Sequence, residues 1–180
     1  MKKDKRGVMG IILFFIILIS ILAIGFIASI SLGIIDFGSE AITPVMEGLG
    51  MVGDTNVTEA ATYSFGFVDG IINSAPWILA FAFVGALVFS IIFVVGYTYN
   101  PNPAFMGLYF AFIILLVFFA IVVSNAYEEI YTGTDEIALK LQDQPAMSYL
   151  ILYSPFIFVL IAFITGIFLF AGKNSQENVV

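Results

Sequence analysis

The stretch "NAYEEIYTGTDE" sets Glu128, Glu129, Asp135 and Glu136 within nine residues. Carboxylates so close together can share a proton, divide the work of general acid and base, or ligate a divalent cation. The spacing argues against each. Glu128 and Glu129 are adjacent, so on a helix their side chains diverge by about 100°. Ca²⁺ takes about six to eight oxygens, and the stretch lacks the regular ligand spacing of an EF-hand loop. Asp135 and Glu136 follow Thr134 in a first helical turn, where acids complement the helix dipole. Glu136 stands four residues before Lys140, the better orientation for an ion pair along a helix. The expected structure is a surface helix starting at Thr134, with Ile137, Ala138 and Leu141 as an apolar stripe lying on the surface. Glu128, Asp135 and Glu136 remain the candidates for a divalent cation.

The rest of the chain offers less chemistry. It has no His and no Cys, which removes thiol nucleophiles, His-based triads, and zinc or haem ligation through those side chains. The apolar stretches hold no ionisable residue, although such residues mark ion-coupled transporters and proton relays. Their polar remainder is Ser20, Ser29, Ser31, Ser90 and Thr165, each able to bond back to its own helix. No glycine-rich phosphate cradle is present. These observations predict no enzyme and no cofactor, and a formal charge of −7 disfavours nucleic acid.

What must position these residues is a membrane. The 180-residue chain is 61% hydrophobic and only 11% charged. Soluble domains carry roughly 25% charged residues. Four segments reach the roughly 20 apolar residues that cross a bilayer: about 8–35, 76–97, 104–124 and 149–171. In hydrocarbon the backbone must satisfy its own hydrogen bonds, so each segment is read as a helix. The expected fold is all-α, a single membrane domain over 1–180. It is a four-helix transmembrane bundle with short interfacial helices in the loops 36–75 and 125–148. Span one, about 42 Å long at about 1.5 Å per residue, should tilt or project. "KKDKRGVMG" resembles an archaeal pilin-type processing site, but three further spans make span one an uncleaved anchor.

Charge gives the orientation. Lys2, Lys3, Lys5 and Arg6 precede span one, and Lys173 follows span four. Loop 36–75 carries six acids and no base, and loop 125–148 carries five acids with Lys140 alone. The terminal side therefore sums to +3 and the loop side to −10. This predicts both termini inside the cell or virion membrane and both long loops outside.

Turn and helix signals fill in the rest. Asn102 and Pro103 should start span three, and Pro76 should sit at the first turn of span two. Pro155 should kink span four near its outer end. In loop 36–75, Thr43 and Pro44 suggest a short helix ending at Gly48 or Gly50. Asn56 and Glu59 suggest the capped start of a second helix, able to run on into span two with a break at Pro76, with Ala60, Phe67 and Ile71 resting on the membrane or on neighbouring spans. Asn56-Val57-Thr58 is also a glycosylation sequon. Small residues recur every four positions at Gly25, Ser29 and Gly33, with Ala28 beside them; at Ala82, Ala86 and Ser90; and at Ala162 and Gly166. Such faces let helices approach closely, inside one bundle or against another subunit.

The segments "NPNPAFMGLYF" and "VVSNAYEEIY", with the acid-rich turn that follows, resemble uncharacterised small polytopic membrane proteins of viral and archaeal genomes. The resemblance covers the last two spans and transfers no functional residue. It implies a virion membrane protein or an accessory subunit of an archaeal-type surface assembly. The function expected is a non-enzymatic structural or assembly subunit. It would pack in the lipid bilayer through small-residue faces and dock other membrane subunits, or further copies of itself, by acidic outer loops. The alternative is an oligomeric pore for small solutes or cations.

Overall fold

The computed structural model describes residues 2–97 and 105–170, without the side chains of 2–7 and Tyr97. The expected start of span three at Asn102 and Pro103, and the tail with Lys173, lie outside the described residues. The chain runs α1 (Lys2–Gly48), β1 (Met51–Val52), β2 (Thr55–Asn56), α2 (Val57–Tyr97), α3 (Met106–Tyr131), α4 (Glu136–Gln142), α5 (Pro145–Leu152) and α6 (Ser154–Phe170). α1, α2 and α3 are each long and apolar enough to cross a membrane, and the bent pair α5–α6 adds a fourth crossing if it forms one span.

α1 and α2 form an antiparallel hairpin of unbroken helices, about 70 Å and about 60 Å long. The separate Thr43-capped helix expected from the sequence does not exist: α1 passes straight through Pro44. The Thr43 hydroxyl instead donates to the Ser39 carbonyl at 2.7 Å, one turn back. Pro76 likewise lies inside α2 rather than at its start. A proline inside a helix costs about 3 kcal/mol, and here continuous packing of the two helices offsets it. Two short strands close the hairpin, pairing Met51 with Asn56 and Val52 with Thr55. Gly53, at φ +63°, takes the left-handed position that such a two-residue turn requires. Beyond the apolar segments, α1, the strands and α2 make a projecting arm over residues 36–75.

The core follows helical spacing. α1 buries Ile11, Phe14, Leu18 and Leu22, then Gly25, Ser29 and Gly33. α3 buries Tyr109, Leu116, Ala120, Ser124 and Tyr127, and α6 buries Phe158, Ala162 and Thr165. Outward faces carry Phe81, Phe89, Phe118 and Phe163, all exposed. Lipid is as apolar as these rings, so nothing drives them inward.

α3 runs nearly two turns past 124, so Glu128 and Glu129 lie on the same helix as the apolar span. α4 packs against α1 instead of lying on a surface: Ala138 and Leu141 are fully buried, and the Leu141 side chain meets Gly33. α5 and α6 meet at a 65° bend at Tyr153, two residues before Pro155. Pro155 has no N–H for the Ile151 carbonyl. Beside it, the Ser124 hydroxyl donates to the Leu152 carbonyl at 2.7 Å.

Candidate functional site

The acidic cluster is not brought together. Asp135 is the N-cap of α4, one residue later than expected, and accepts from the Ala138 N–H at 3.0 Å. The Glu128 backbone carbonyl accepts from the Thr132 N–H and hydroxyl, ending α3. Glu128, Glu129 and Glu136 are exposed, and no three acidic side chains converge to hold a metal ion among the described residues.

Lys140 does not pair with Glu136. Its ammonium reaches α1, at 2.6 Å from Glu40 and 3.5 Å from Asp36. Sequence separation favours Glu136, but α4 lies on α1 and the fold presents two carboxylates one turn apart. The hydrogen bond to Glu40, helped by the charge of Asp36, holds Lys140 above the usual lysine range against its partial burial. A raised lysine pKa stabilises the fold below the ordinary value of 10.5. That contribution is lost as pH rises through the raised value. Lys140→Gln is expected to cost about 0.5–1 kcal/mol at neutral pH. In denaturation titrations the gap to the parent protein should close once the ammonium deprotonates in strong alkali.

A chain of hydroxyls lies buried between α1, α3 and α5. Ser148 donates to the Leu141 carbonyl at 2.9 Å. That uses its one proton, so Tyr127 donates to Ser148 at 2.8 Å and Ser29 donates to Tyr127 at 2.8 Å. Of the serines read as bonding back to their own helix, Ser90 does so, to the Leu87 carbonyl, whereas Ser29 reaches across to α3. The Thr165 hydroxyl is buried with no hydrogen-bond partner among the described residues. At the other end of α3, Tyr109 donates to the Ala162 carbonyl of α6 at 2.7 Å. The linking roles of Tyr127 and Tyr109 do not emerge from the sequence reading. Their signal is a tyrosine at each end of the buried α3 stripe.

The small-residue faces divide. A Cβ on Gly25 would stand 2.5 Å from the Met147 methyl and 3.2 Å from the Phe83 ring. On Gly33 it would stand 3.2 Å from Leu141, and on Gly166 3.2 Å from the Tyr109 ring. Gly25, Ser29, Gly33, Ala162 and Gly166 are thus filled from within the chain. Ala82 is exposed, Ala86 half-buried and Ser90 buried, so that face turns into its own chain only toward Ser90. α2 packs instead through Phe83, Leu87, Ser90 and Val94.

On the arm, Asn56 accepts from the Glu59 N–H at 3.1 Å and donates to the Glu59 carboxylate at 3.3 Å. The first bond caps α2 and the second ties the two side chains together. The Asn56 side chain is exposed, as a glycan would require. Ala60, Phe67 and Ile71 are exposed, and no neighbouring span covers them among the described residues. At the base of the arm a cavity of about 80 Å³ is lined by Asp36, Asn73, Trp77, Asp143 and Gln144. Gln144 is buried, with neither side-chain amide atom hydrogen bonded among the described residues.

No known protein family, curated protein sequence or solved structure matches the chain.

Proposed function

We propose that the chain is a non-enzymatic structural subunit that crosses a membrane four times, with α5–α6 as a bent fourth span. It holds an acidic helical arm out to partner proteins. The observation that carries this reading is the arm: two unbroken helices that continue past the apolar segments and expose large apolar side chains together with carboxylates. The interior supports it. Its buried hydroxyls link helices, and the apolar segments hold no acidic or basic side chain. The charge asymmetry argues for both termini inside and the arm outside, in the cell or virion setting that the resemblance suggests. Cysteine labelling at positions 59 and 173 should report opposite sides.

Purification from the native membrane in gentle detergent is expected to recover the chain in a stoichiometric assembly. Reconstituted liposomes are expected to stay sealed. Solute leakage through the purified protein would overturn the reading in favour of a pore built between copies.

A further inference from the structure

We infer that one side of the arm is the contact face between two copies of this chain. The arm is sided. Its seam is formed by Ser39, Thr43 and Met46 of α1 facing Ala61, Phe65, Val68 and Ile72 of α2, all buried or half-buried. Ile42, Val45 and Leu49 lie about a quarter turn round α1 from that seam, and Tyr63, Phe67 and Ile71 about a third of a turn round α2, in the same rotational sense. Because the helices are antiparallel, equal senses of rotation bring both stripes out on one side.

The carboxylates rotate the other way. Glu47 stands two turns above Glu40, and Asp69 aligns with Asn73 and Pro76. That is the side that α4 and α5 cover at the base, where Lys140 bonds Asp36 and Glu40 and where Asp143 and Gln144 line a cavity together with Asn73 and Pro76. The apolar side is left uncovered by the described residues. Tyr63 is 76% exposed, Phe67 71% and Val45 65%. An aromatic side chain presents about 150–250 Å². With the four aliphatic residues, the face approaches the roughly 800 Å² that each partner gives to a standard interface.

A second copy fits this face for three reasons. Glu40, Glu47 and Asp69 point away from it, so two copies meet without opposing those charges; Glu59 stands at the rim, tied to Asn56. Copies held in one membrane share height and direction, so a two-fold axis along the membrane normal sets each stripe against itself. The stripe also continues down α2 through exposed Ile78 and Phe89, with open space at Gly85, so the contact runs on between the spans. The inference rests on the reading above, in which the arm stands in water.

These 180 residues contain no cysteine, so single introduced cysteines report contacts cleanly. Phe67→Cys should cross-link two copies in native membranes under mild oxidation, and Glu47→Cys, on the acidic side, should not. Phe67→Glu should weaken the dimer at least about thirtyfold, the size of a hot-spot loss, as read by light scattering in nanodiscs. Thr62→Glu, exposed on the acidic side of the same helix two turns before Asp69, serves as a folding control and should leave the mass unchanged. Equal cross-linking from both sides, or a dimer indifferent to Phe67→Glu, would overturn the inference. So would a Phe67→Cys adduct with a different protein, although the assembly reading would then stand. A monomer with no companion protein would sink both.

Discussion

Gly25→Leu is expected to break the protein apart from the inside, before any question of partners arises. The Cβ alone would stand 2.5 Å from the Met147 methyl and 3.2 Å from the Phe83 ring. Leucine adds three more carbons in a place where α2 and α5 both press on α1. Met147 can swing its flexible end aside for one carbon, so Gly25→Ala should cost about 1 kcal/mol. Leucine requires α1 to separate from its neighbours, for about 3 kcal/mol or more, the upper end of overpacking costs. Unfolding in mixed micelles with increasing SDS checks the order: parent, then Gly25→Ala, then Gly25→Leu. Gly85→Leu is the contrasting case. Nothing lies within 4 Å of a Cβ there, so monomer stability should not change, while the dimer contact beside it should weaken.

Tyr127→Ala is expected to be the most damaging single truncation in α3. The side chain is fully buried and stacks at 6.2 Å on Tyr131 and edge-on at 6.0 Å on Phe26. Emptying that volume should cost about 3–5 kcal/mol, as for other buried aromatics. Tyr127→Phe separates the two contributions. It keeps the ring and removes the central hydroxyl, so Ser29 loses its acceptor and Ser148 its donor. The expected loss is about 1–2 kcal/mol, because hydrogen bonds between membrane helices are individually modest. Ser29→Ala measured in the Tyr127→Phe background should then cost almost nothing further. An additive double mutant would mean that the two groups act independently.

Part of this architecture is legible in residue order. Gly25, Ser29 and Gly33 stand at a spacing that suits a close helix contact, and Ala162 with Gly166 likewise. The helical class and the apolar segments follow from hydropathy. Ala82 and Ala86 are harder to place because α2 is apolar on all sides, so periodicity cannot separate a core face from one that meets lipid or another subunit. Phe83 and Leu87 take the core and Ala82 is left outside. Pro44 and Pro76 mislead for a different reason. Local preference places proline in a first turn, but a long partner helix holds both α1 and α2 continuous. Sequence distance pairs Lys140 with Glu136, whereas α4 docking on Gly33 brings it to Asp36 and Glu40. The acidic cluster looks like the functional feature when only residue order is known. Its members end one helix and begin another, and the sidedness of the arm depends on a three-dimensional pairing that no single-helix pattern contains.

The unbroken course of α1 also fixes an electrostatic height. Thirteen residues follow Ile35 before α1 ends at Gly48, a rise of about 20 Å at about 1.5 Å per residue. With the apolar segments in a bilayer, headgroups take up about 5–8 Å of that rise. The remainder exceeds the Debye length of about 8 Å at physiological salt. Whatever meets the tip at Gly53 and Asp54 is therefore screened from the charge of the lipid surface, and it sees chiefly the carboxylates of the arm itself.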